Sequence, residues 1–518
     1  MYPIALYTLG CKLNQLESEA LADSFRKAGF SLVLSGTIPS GPGIIIINTC
    51  TVTSKADQKS RRLIRKALRE NPDSCVIVTG CYAQLDPAEI ALFETEAAAG
   101  VSGRRRLFVV GGGQGNNDNA GSAKSALLEL PNYLLKAAMA GAPDSELPGA
   151  IQEEFFTTEY TELHGGIKDY RIKTPCNSKL SNGQQYSVVN SSFLDISEIL
   201  ERWMEQARGE GPFSFKPEEF SFHSRGYLKI QDGCNNGCNY CRVCLARGPS
   251  VSLPPETALA ELRSFEARNC PELIITGVNI TQYNHSGTDL AGLLERLVEG
   301  SAAIALRLSS LEPEGINDRL ASVLAHPRIR PHFHLSVQSG SDTVLRRMGR
   351  VYQTQTVEQG AALLRSVKDN PFLACDIIAG FPGETSAEFD QTLALCAEIG
   401  FAWIHAFPYS KRPGTAAFSL KNPVCERDTT RRVEALTALA LRNRREYAQT
   451  WLGRELSAVV EKGEPDSEGR RRAVSENYLK LLVDCSDAYP PGSSLRCIPV
   501  SLCAGADGES PDAVALVR

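Results

Sequence analysis

No apolar run in this 518-residue chain reaches the roughly 18 residues that span a bilayer, so no membrane segment is expected. The start, Met1-Tyr2-Pro3-Ile4, lacks a basic stretch followed by a long apolar one, and no secretory signal is expected. A Gly-Lys pair occurs nowhere, which excludes a phosphate-cradling P-loop. With a net charge of −5 the whole molecule is not a polybasic nucleic-acid binder. Sixteen cysteines are too dilute for a disulfide scaffold. Their grouping points instead to metal sites in a reducing, cytoplasmic setting. The length and 42% hydrophobic content suit three or four ordinary cores.

What the chain does have is concentrated. Cys234, Cys238 and Cys241 lie in a C-x3-C-x2-C spacing within Asp232-Gly233-Cys234-Asn235-Asn236-Gly237-Cys238-Asn239-Tyr240-Cys241. Three thiolates fit three corners of a 4Fe-4S cluster and leave one iron open to a small molecule. The alternative is a zinc knuckle, with Cys244 as fourth ligand. Five basic clusters stand out: Arg61–Lys66, Arg346-Arg347, Arg431-Arg432, Arg442–Arg445 and Arg470-Arg471-Arg472. Each alone reads as a solvated face; together they leave room for an RNA backbone tracked over one surface.

Residues 1–115 read as repeated strand–helix units. Strands are expected at Ile4–Leu9, Ile44–Ile47 and Cys75–Thr79, with helices over Leu16–Gly29 and Asp57–Arg69. Such β-branched runs alternating with helices indicate a parallel sheet covered on both faces. Cys11, Cys50 and Cys81 each fall just past a strand's carboxyl end, along the rim where such sheets bind ligands. Three distant cysteines are therefore expected to converge on a second metal site. Residues 116–222, with helical runs at Ala123–Met139 and Ile196–Ala207, read as a connection with an insertion. Cys176 there has no partner pattern.

Residues 223–450 return to alternation. Six strands are expected, at Tyr227–Gln231, Leu273–Thr276, Ile304–Ser309, His332–Ser336, Cys375–Ala379 and Trp403–Pro408. Helices are expected near Pro255–Asn269, Leu290–Glu299, Thr356–Ser366 and Ser386–Glu398. Six repeats indicate a partial β/α barrel with its site at the strands' carboxyl ends. Residues 451–518 carry short strand-like runs, Leu456–Glu461, Ala473–Val483 and Leu495–Leu502, and read as a small β-barrel of a kind that often holds oligonucleotides.

Several motifs in order then carry a resemblance. Thr8–Gln15 with Glu17-Ser18-Glu19, Asn48–Thr53 and Gly80–Gln84 resemble the amino-terminal domain of the methylthiotransferases. Tyr240 before the third cysteine, Thr276–Ile280, Leu308–Pro313, Leu335–Gly340, Asp376–Thr385, Phe407–Ser410 and Arg412–Thr415 resemble that family's radical S-adenosylmethionine domain. Ser475-Glu476-Asn477-Tyr478 is similar to the TRAM domain, a small RNA-binding barrel. Gly10–Gln15 and Thr276–Ile280 look like the branch that acts on N6-threonylcarbamoyladenosine at position 37 of tRNA. The isopentenyladenosine and ribosomal-aspartate branches carry other residues after the first cysteine.

The resemblance implies two 4Fe-4S clusters. Cys234, Cys238 and Cys241 would hold the one that chelates S-adenosylmethionine and cleaves it to a 5′-deoxyadenosyl radical. Cys11, Cys50 and Cys81 would hold the one that carries the sulfur, with a second S-adenosylmethionine as methyl donor. Tyr240, Thr276, Gly277, Ser310 and Gln338 match positions of the family's S-adenosylmethionine contacts. The implied partners are tRNA, an electron donor and a sulfur donor. Cys244 departs from the family's usual proline; since a fourth ligand would close the site, it is expected not to coordinate. The competing readings are methylthiolation of isopentenyladenosine or of a ribosomal-protein aspartate, and, from another class, a non-catalytic RNA-binding iron–sulfur sensor.

Overall fold

The structure is a computed structural model that describes residues 3–33, 43–97, 105–111, 122–140, 196–484, 488–503 and 510–518. Its first sheet follows from runs such as Ile44-Ile45-Ile46-Ile47, apolar on both faces. Strands β1 (Ile4–Thr8), β2 (Leu32–Val33), β3 (Ile44–Thr49), β4 (Cys75–Gly80) and β5 (Leu107–Val109) form a parallel sheet in the order β2-β1-β3-β4-β5. Helices α1 (Lys12–Lys27), α2 (Ser54–Glu70), α3 (Cys81–Leu85) and α4 (Pro87–Ala97) connect them. Alternate residues face opposite layers. Ile44, Ile46 and Ile77 pack with Leu21 and Phe25 of α1, whereas Ile45, Ile47, Val76 and Val78 pack with Ile64 and Leu68 of α2. Thr53 caps α2 by accepting from the Ala56 amide at 3.1 Å.

The expected helix over Ala123–Met139 is broken into α5 (Ser122–Ser125), a 3₁₀ turn at Ala126–Leu128 and α6 (Leu130–Ala140). With α7 (Ile196–Gln206) these segments pack on the first sheet's core, through Leu127, Leu130, Leu200 and Trp203. Thus the described parts of 116–222 add to the amino-terminal core. Cys176 and the polar segment Asn177–Gln185 lie outside the described residues.

Six further parallel strands form the partial barrel. One group is β6 (Gly226–Lys229), β9 (Glu272–Thr276) and β12 (Ala305–Leu308); the other is β13 (His332–Gln338), β14 (Phe372–Ala379) and β15 (Trp403–Pro408). Parallel bridges Leu306↔Ile329 and Leu311↔Leu335 join the groups. Between the first two strands come β7 (Gln231–Asp232), α8 (Val243–Arg247), β8 (Val251–Ser252) and α9 (Pro255–Ala267), with β7 and β8 antiparallel. A small ribbon of β10 (Asn284–His285) and β11 (Thr288–Asp289) precedes α10 (Leu290–Glu299). The remaining helices are α11 (Asp318–Leu324), α12 (Asp342–Met348), α13 (Thr354–Val367), α14 (Ser386–Ile399) and α15 (Glu426–Gln449). Side chains start four of the barrel's helices: Asp289 caps α10, Asn317 caps α11, Thr385 with Glu388 forms a capping box on α14, and Cys425 caps α15. Leu16 of α1 packs against Tyr227 and Ile274, so the first domain contacts the barrel strands directly.

The tail closes into a five-stranded barrel, β16 (Leu456–Val460), β17 (Arg471–Ser475), β18 (Lys480–Asp484), β19 (Ser494–Leu502) and β20 (Ala513–Val517), in the order β16-β17-β18-β20-β19. The expected run Ala473–Val483 is two strands, divided by the turn that holds Tyr478 at φ 67°. Tyr478 is not a free stacking face: its ring lies 4.1 Å from His332 and 5.7 Å from Phe372. The barrel shares one apolar core with Phe372, Ala402, Tyr447 and Trp451, under the strands' amino ends.

The five basic clusters do not form one free surface. Arg432 pairs with Glu384 at 2.6 Å and Arg444 with Asp512 at 2.6 Å, all four side chains buried. Arg347 pairs with Glu388, Arg61 with Glu89, Arg65 with Glu96 and Arg470 with Asp466. Arg432 and Arg444 are thereby turned inward, while Arg61, Arg65 and Arg470 pair at the surface.

Leu481 is fully buried in the core shared by the small barrel and the partial barrel. Leu481→Ala is expected to cost about 2–5 kcal/mol, read as a lower urea midpoint at unchanged slope. An unchanged midpoint would mean that the small barrel is not coupled to the rest.

Candidate active site

Each cysteine of the amino-terminal set is placed by the end of a strand. Cys11 precedes α1, Cys50 follows β3 and Cys81 opens α3 directly after β4. Close approach requires glycine at two points. At Gly10 (φ 104°) an added Cβ would lie 2.5 Å from Cys50 Cβ and 2.7 Å from its Sγ. At Gly80 (φ 98°) it would lie 2.2 Å from the Thr49 carbonyl oxygen. Asn14 Nδ2 donates to the Leu9 and Thr49 carbonyls at 2.8 and 2.9 Å, and Asn48 Nδ2 donates to the Asn14 carbonyl at 2.9 Å. The three thiols thereby share one electrostatic neighbourhood, in which a charge on Cys11 or Cys81 disfavours one on Cys50. Burial pushes the Cys50 thiol up to about 12, so a thiolate there needs a bound cation to stabilise it.

The second set lines a cavity of about 280 Å³ at the barrel strands' carboxyl ends. Gly233 (φ 72°) makes the turn into the loop, where a Cβ would strike the Pro249 carbonyl oxygen at 1.9 Å. Each sulfur receives a donor: the Asn236 amide to Cys234 at 3.4 Å, the Val243 amide to Cys241 at 3.4 Å, and Arg350 Nη1 to Cys238 at 3.2 Å. Burial pushes Cys241 up to about 12. Three converging sulfurs, each met by an N–H donor, fit the anionic ligand set of an iron–sulfur cluster. Cys244 neighbours Cys234 and Cys241 but does not line the cavity.

Tyr240 and Gln338 line this cavity, Gln338 at φ 64° beside an irregularity in β13. Thr276, Gly277 and Ser310 stand outside its lining. Thr276 is buried at the end of β9, and Ser310 Oγ is 2.7 Å from His334 Nδ1, whose Nε2 is 3.2 Å from Asp376. Sequence reasoning missed Glu312, Arg350 and Asp376 as cavity residues. Glu312 and Asp376 fall within Leu308–Pro313 and Asp376–Thr385, quoted for the resemblance, whereas Arg350, just past α12, had no such signal. Thr51, Val52 and Thr53, just past Cys50, form part of the same wall.

A buried ionic network joins the two sets. Arg247 Nη1 lies 3.0 Å from both Glu17 Oε1 and Asp232 Oδ2, and its Nη2 donates to Asn14 Oδ1 at 3.0 Å. Lys229 contacts Asp232 and Glu17, while Lys124 contacts Glu17 and donates to Asn48 Oδ1 at 2.9 Å. Burial alone would raise both carboxyls. For Glu17 the charges of Arg247, Lys124 and Lys229 outweigh it, and for Asp232 those of Arg247 and Lys229; both stay below the usual carboxylate range. Arg412 adds a second tie, reaching Asp57 at 2.7 Å and the Thr51 carbonyl at 2.8 Å.

A partial barrel with three thiols in the loop after its first strand defines the class of radical S-adenosylmethionine enzymes. A model of the Radical SAM superfamily matches residues 228–396, and that of an uncharacterized protein family, UPF0004, matches residues 3–101. The chain is 39% identical over 490 residues to the threonylcarbamoyladenosine tRNA methylthiotransferase MtaB of Treponema pallidum (strain Nichols), covering 93% of this chain and 94% of that protein. To the protein of the same name from Bacillus subtilis (strain 168) it is 31% identical, over 93% and 90% of the two. The tRNA-2-methylthio-N(6)-dimethylallyladenosine synthase of Anaplasma marginale (strain St. Maries) is 27% identical, over 91% and 86%. The chain belongs to the family of threonylcarbamoyladenosine tRNA methylthiotransferases. Its radical domain implies a 4Fe-4S cluster and S-adenosylmethionine as cofactors. No described helix is long and apolar enough to cross a membrane.

Arg247→Met leaves Glu17 and Asp232 buried with fewer cations, at an expected cost of about 3–5 kcal/mol. Carboxyls held below their unfolded values stabilise the fold above pH about 4, and that contribution fades as pH falls through their folded values. The substitution raises those folded values, so acid unfolding of R247M is expected to begin at higher pH than in the parent. Superimposable acid titrations of the two proteins would remove the network from the account.

Proposed function

We propose that this protein attaches a methylthio group to carbon 2 of N6-threonylcarbamoyladenosine at position 37 of tRNA, beside the anticodon. The observation that carries the reading is one cavity walled from both cysteine loops: Thr51–Thr53 after Cys50, and Cys234, Cys238 and Cys241. Carbon 2 of adenine bears only hydrogen. Replacing it requires removal of that hydrogen and a sulfur held close by.

Cys234, Cys238 and Cys241 would hold a 4Fe-4S cluster, and Cys11, Cys50 and Cys81 a second one. When bound, the first supplies the electron that cleaves S-adenosylmethionine, and the second offers an open position for sulfur. The chain's own residues orient and enclose. Arg350 donates to the Cys238 sulfur and pairs with Glu312, which fixes one wall of the cavity. Tyr240 and Gln338 are assigned direct contact with S-adenosylmethionine, while Thr276, Gly277 and Ser310 support those contacts from the strand ends. An electron donor and a sulfur donor act from outside the chain. A non-catalytic sensor would need neither the cavity nor an open ligand position. Isopentenyladenosine in tRNA and a ribosomal-protein aspartate are the alternative substrates.

The deciding measurement is mass spectrometry of tRNA nucleosides from cells with and without the protein. Loss of methylthio-threonylcarbamoyladenosine is expected; loss of the methylthio-isopentenyl form instead would transfer the assignment to that substrate. Anaerobically reconstituted protein is expected to hold about eight irons, four per cluster. Replacing Cys234, Cys238 and Cys241 together by alanine should halve that and abolish 5′-deoxyadenosine release. Replacing Cys11, Cys50 and Cys81 should also halve it yet leave cleavage measurable. Full iron in the latter triple variant would refute the second cluster. Cys244→Ala should keep iron and cleavage within about twofold of the parent, because the open position must stay free.

The small barrel is assigned an RNA-docking role. With Arg470 tied to Asp466, phosphate contact falls to Arg471 and Arg472. Reversing both charges should flatten the salt dependence of tRNA affinity by up to about two units of slope. An unchanged slope would place docking elsewhere, with Arg62 or Arg445 the next candidates.

A further inference from the structure

Lys12 follows Cys11 directly and shares a face of α1 with Gln15 and Leu16, which meet Tyr227 and Ile274 of the partial barrel. The charged and phenolic groups that act on its ammonium are Tyr478, Arg225, Arg307 and Asp376. The ammonium makes no hydrogen bond or ion pair among the described residues. Around it other polar atoms are also left over. Arg307 is fully buried; its Nε and Nη2 are used by Glu272 and the Ser475 carbonyl, and its Nη1 has no partner. Arg225 Nη1 stands 3.5 Å from Glu272 without a hydrogen bond. The buried His332 leaves Nδ1 unpaired, and the half-buried Tyr478 ring lies 5.3 Å from the Arg307 guanidinium.

The nearby carboxylates are already engaged. Glu272 serves Arg307, Arg330 and Arg225 at once, Glu461 takes Arg225, Glu476 takes Arg330, and Asp376 is held by His334. Buried polar atoms without partners are costly; Arg307 Nη1, Arg225 Nη1 and His332 Nδ1 form such a cluster in the partial barrel, flanked by Lys12 of the first domain and Tyr478 of the small barrel, and the described residues supply no acceptor that meets them. Asp376, whose charge acts on Lys12, also lines the cavity of the cysteines.

We infer that this donor pocket is a specificity site for a carboxylate, the one that ends the threonylcarbamoyl arm of the substrate, with Lys12 as its principal contact. The inference rests on the function proposed above. Carbon 2 and the N6 arm share one edge of adenine, so sulfur delivered from beside Cys11 brings the arm alongside Lys12. Arg307, Arg225 and Tyr478 complete the cradle, and Tyr478 enters it from the small barrel because of its left-handed backbone. The carboxylate gains charge-assisted hydrogen bonds there, and the leftover donors gain an acceptor.

The test uses the reconstituted holoenzyme, kept anaerobic, and anticodon stem-loop RNAs alike except at position 37. One carries threonylcarbamoyladenosine, one its threonine carboxamide and one plain adenosine. The parent should bind the acid at least about tenfold more tightly than the amide, the scale of a hydrogen bond to a charged group. K12Q should bind the acid as weakly as the parent binds the amide and leave amide binding unchanged; K12R should recover part of the loss. Y478F, which removes only a hydroxyl, should weaken acid binding about two- to tenfold and spare the amide. Iron content, measured on each variant, certifies the cysteine sites.

Equal weakening of all three RNAs by K12Q would overturn the inference and assign Lys12 to backbone phosphate. Unchanged acid binding in K12Q would overturn it in favour of interior water. If the parent fails to methylthiolate the threonylcarbamoyl RNA at all, the proposed function itself falls. If the parent does so while K12Q binds normally, only this inference falls.

Discussion

Arg247 is the point on which the arrangement of the two cysteine sets depends. It lies on the short helix after the C-x3-C-x2-C loop, yet its guanidinium is shared between Glu17 and Asn14 of the first domain and Asp232 at the entry to its own loop. Lys229 and Lys124 complete a group of three cations and two carboxylates, almost wholly shielded from water. Buried ion pairs of this kind contribute little net stability, because desolvation offsets the attraction. Their geometry is another matter. An apolar contact tolerates sliding, whereas a guanidinium forked between fixed acceptors does not. The network holds two loops from different domains at one separation, and its excess positive charge lies beside Cys11 and Cys81.

Enclosure follows from that separation. Once α1 is fixed against the barrel, the loop after Cys50 becomes a wall of the cavity, and Arg412 holds it there from the segment beyond β15. At its edge Val52 is 59% exposed and Phe407 39% exposed among the described residues. A mostly apolar cavity in which Glu312, Arg350 and Asp376 supply a few polar groups suits a flat base that enters edge-first and leaves its neighbours outside.

Much of this was legible in the sequence because it depends on local pattern. The six barrel strands begin within three residues of where β-branched runs place them, and the rim position of Cys11, Cys50 and Cys81 follows from the strands that precede them. What escaped depends on partners far along the chain. Arg432 finds Glu384 48 residues away and Arg444 finds Asp512 68 residues away, so clusters that read as basic surface became internal pairs. Strand β20 closes the small barrel by pairing in parallel with β18, an arrangement that no local periodicity announces. Tyr478 belongs to the motif similar to an RNA-binding barrel, yet a left-handed turn sends it under the partial barrel, against His332.

The two cysteine sets differ in how they are specified, and that difference sets their sensitivities. The barrel set is local: three sulfurs within eight residues, each with a nearby N–H donor, would survive modest movement of the domains. The first set is topological, since its cysteines come together only if β1, β3 and β4 keep the register Thr8↔Asn48 and Thr49↔Gly80. A one-residue slip would turn every side chain to the opposite face and separate the thiols. Asn14 and Asn48 bind the strand-end carbonyls across that register, while Gly10 and Gly80 permit the close approach it demands. The polar residues around Cys11 and Cys50 therefore act as a register lock, and the same helix that carries the lock presents Lys12 to the barrel interior.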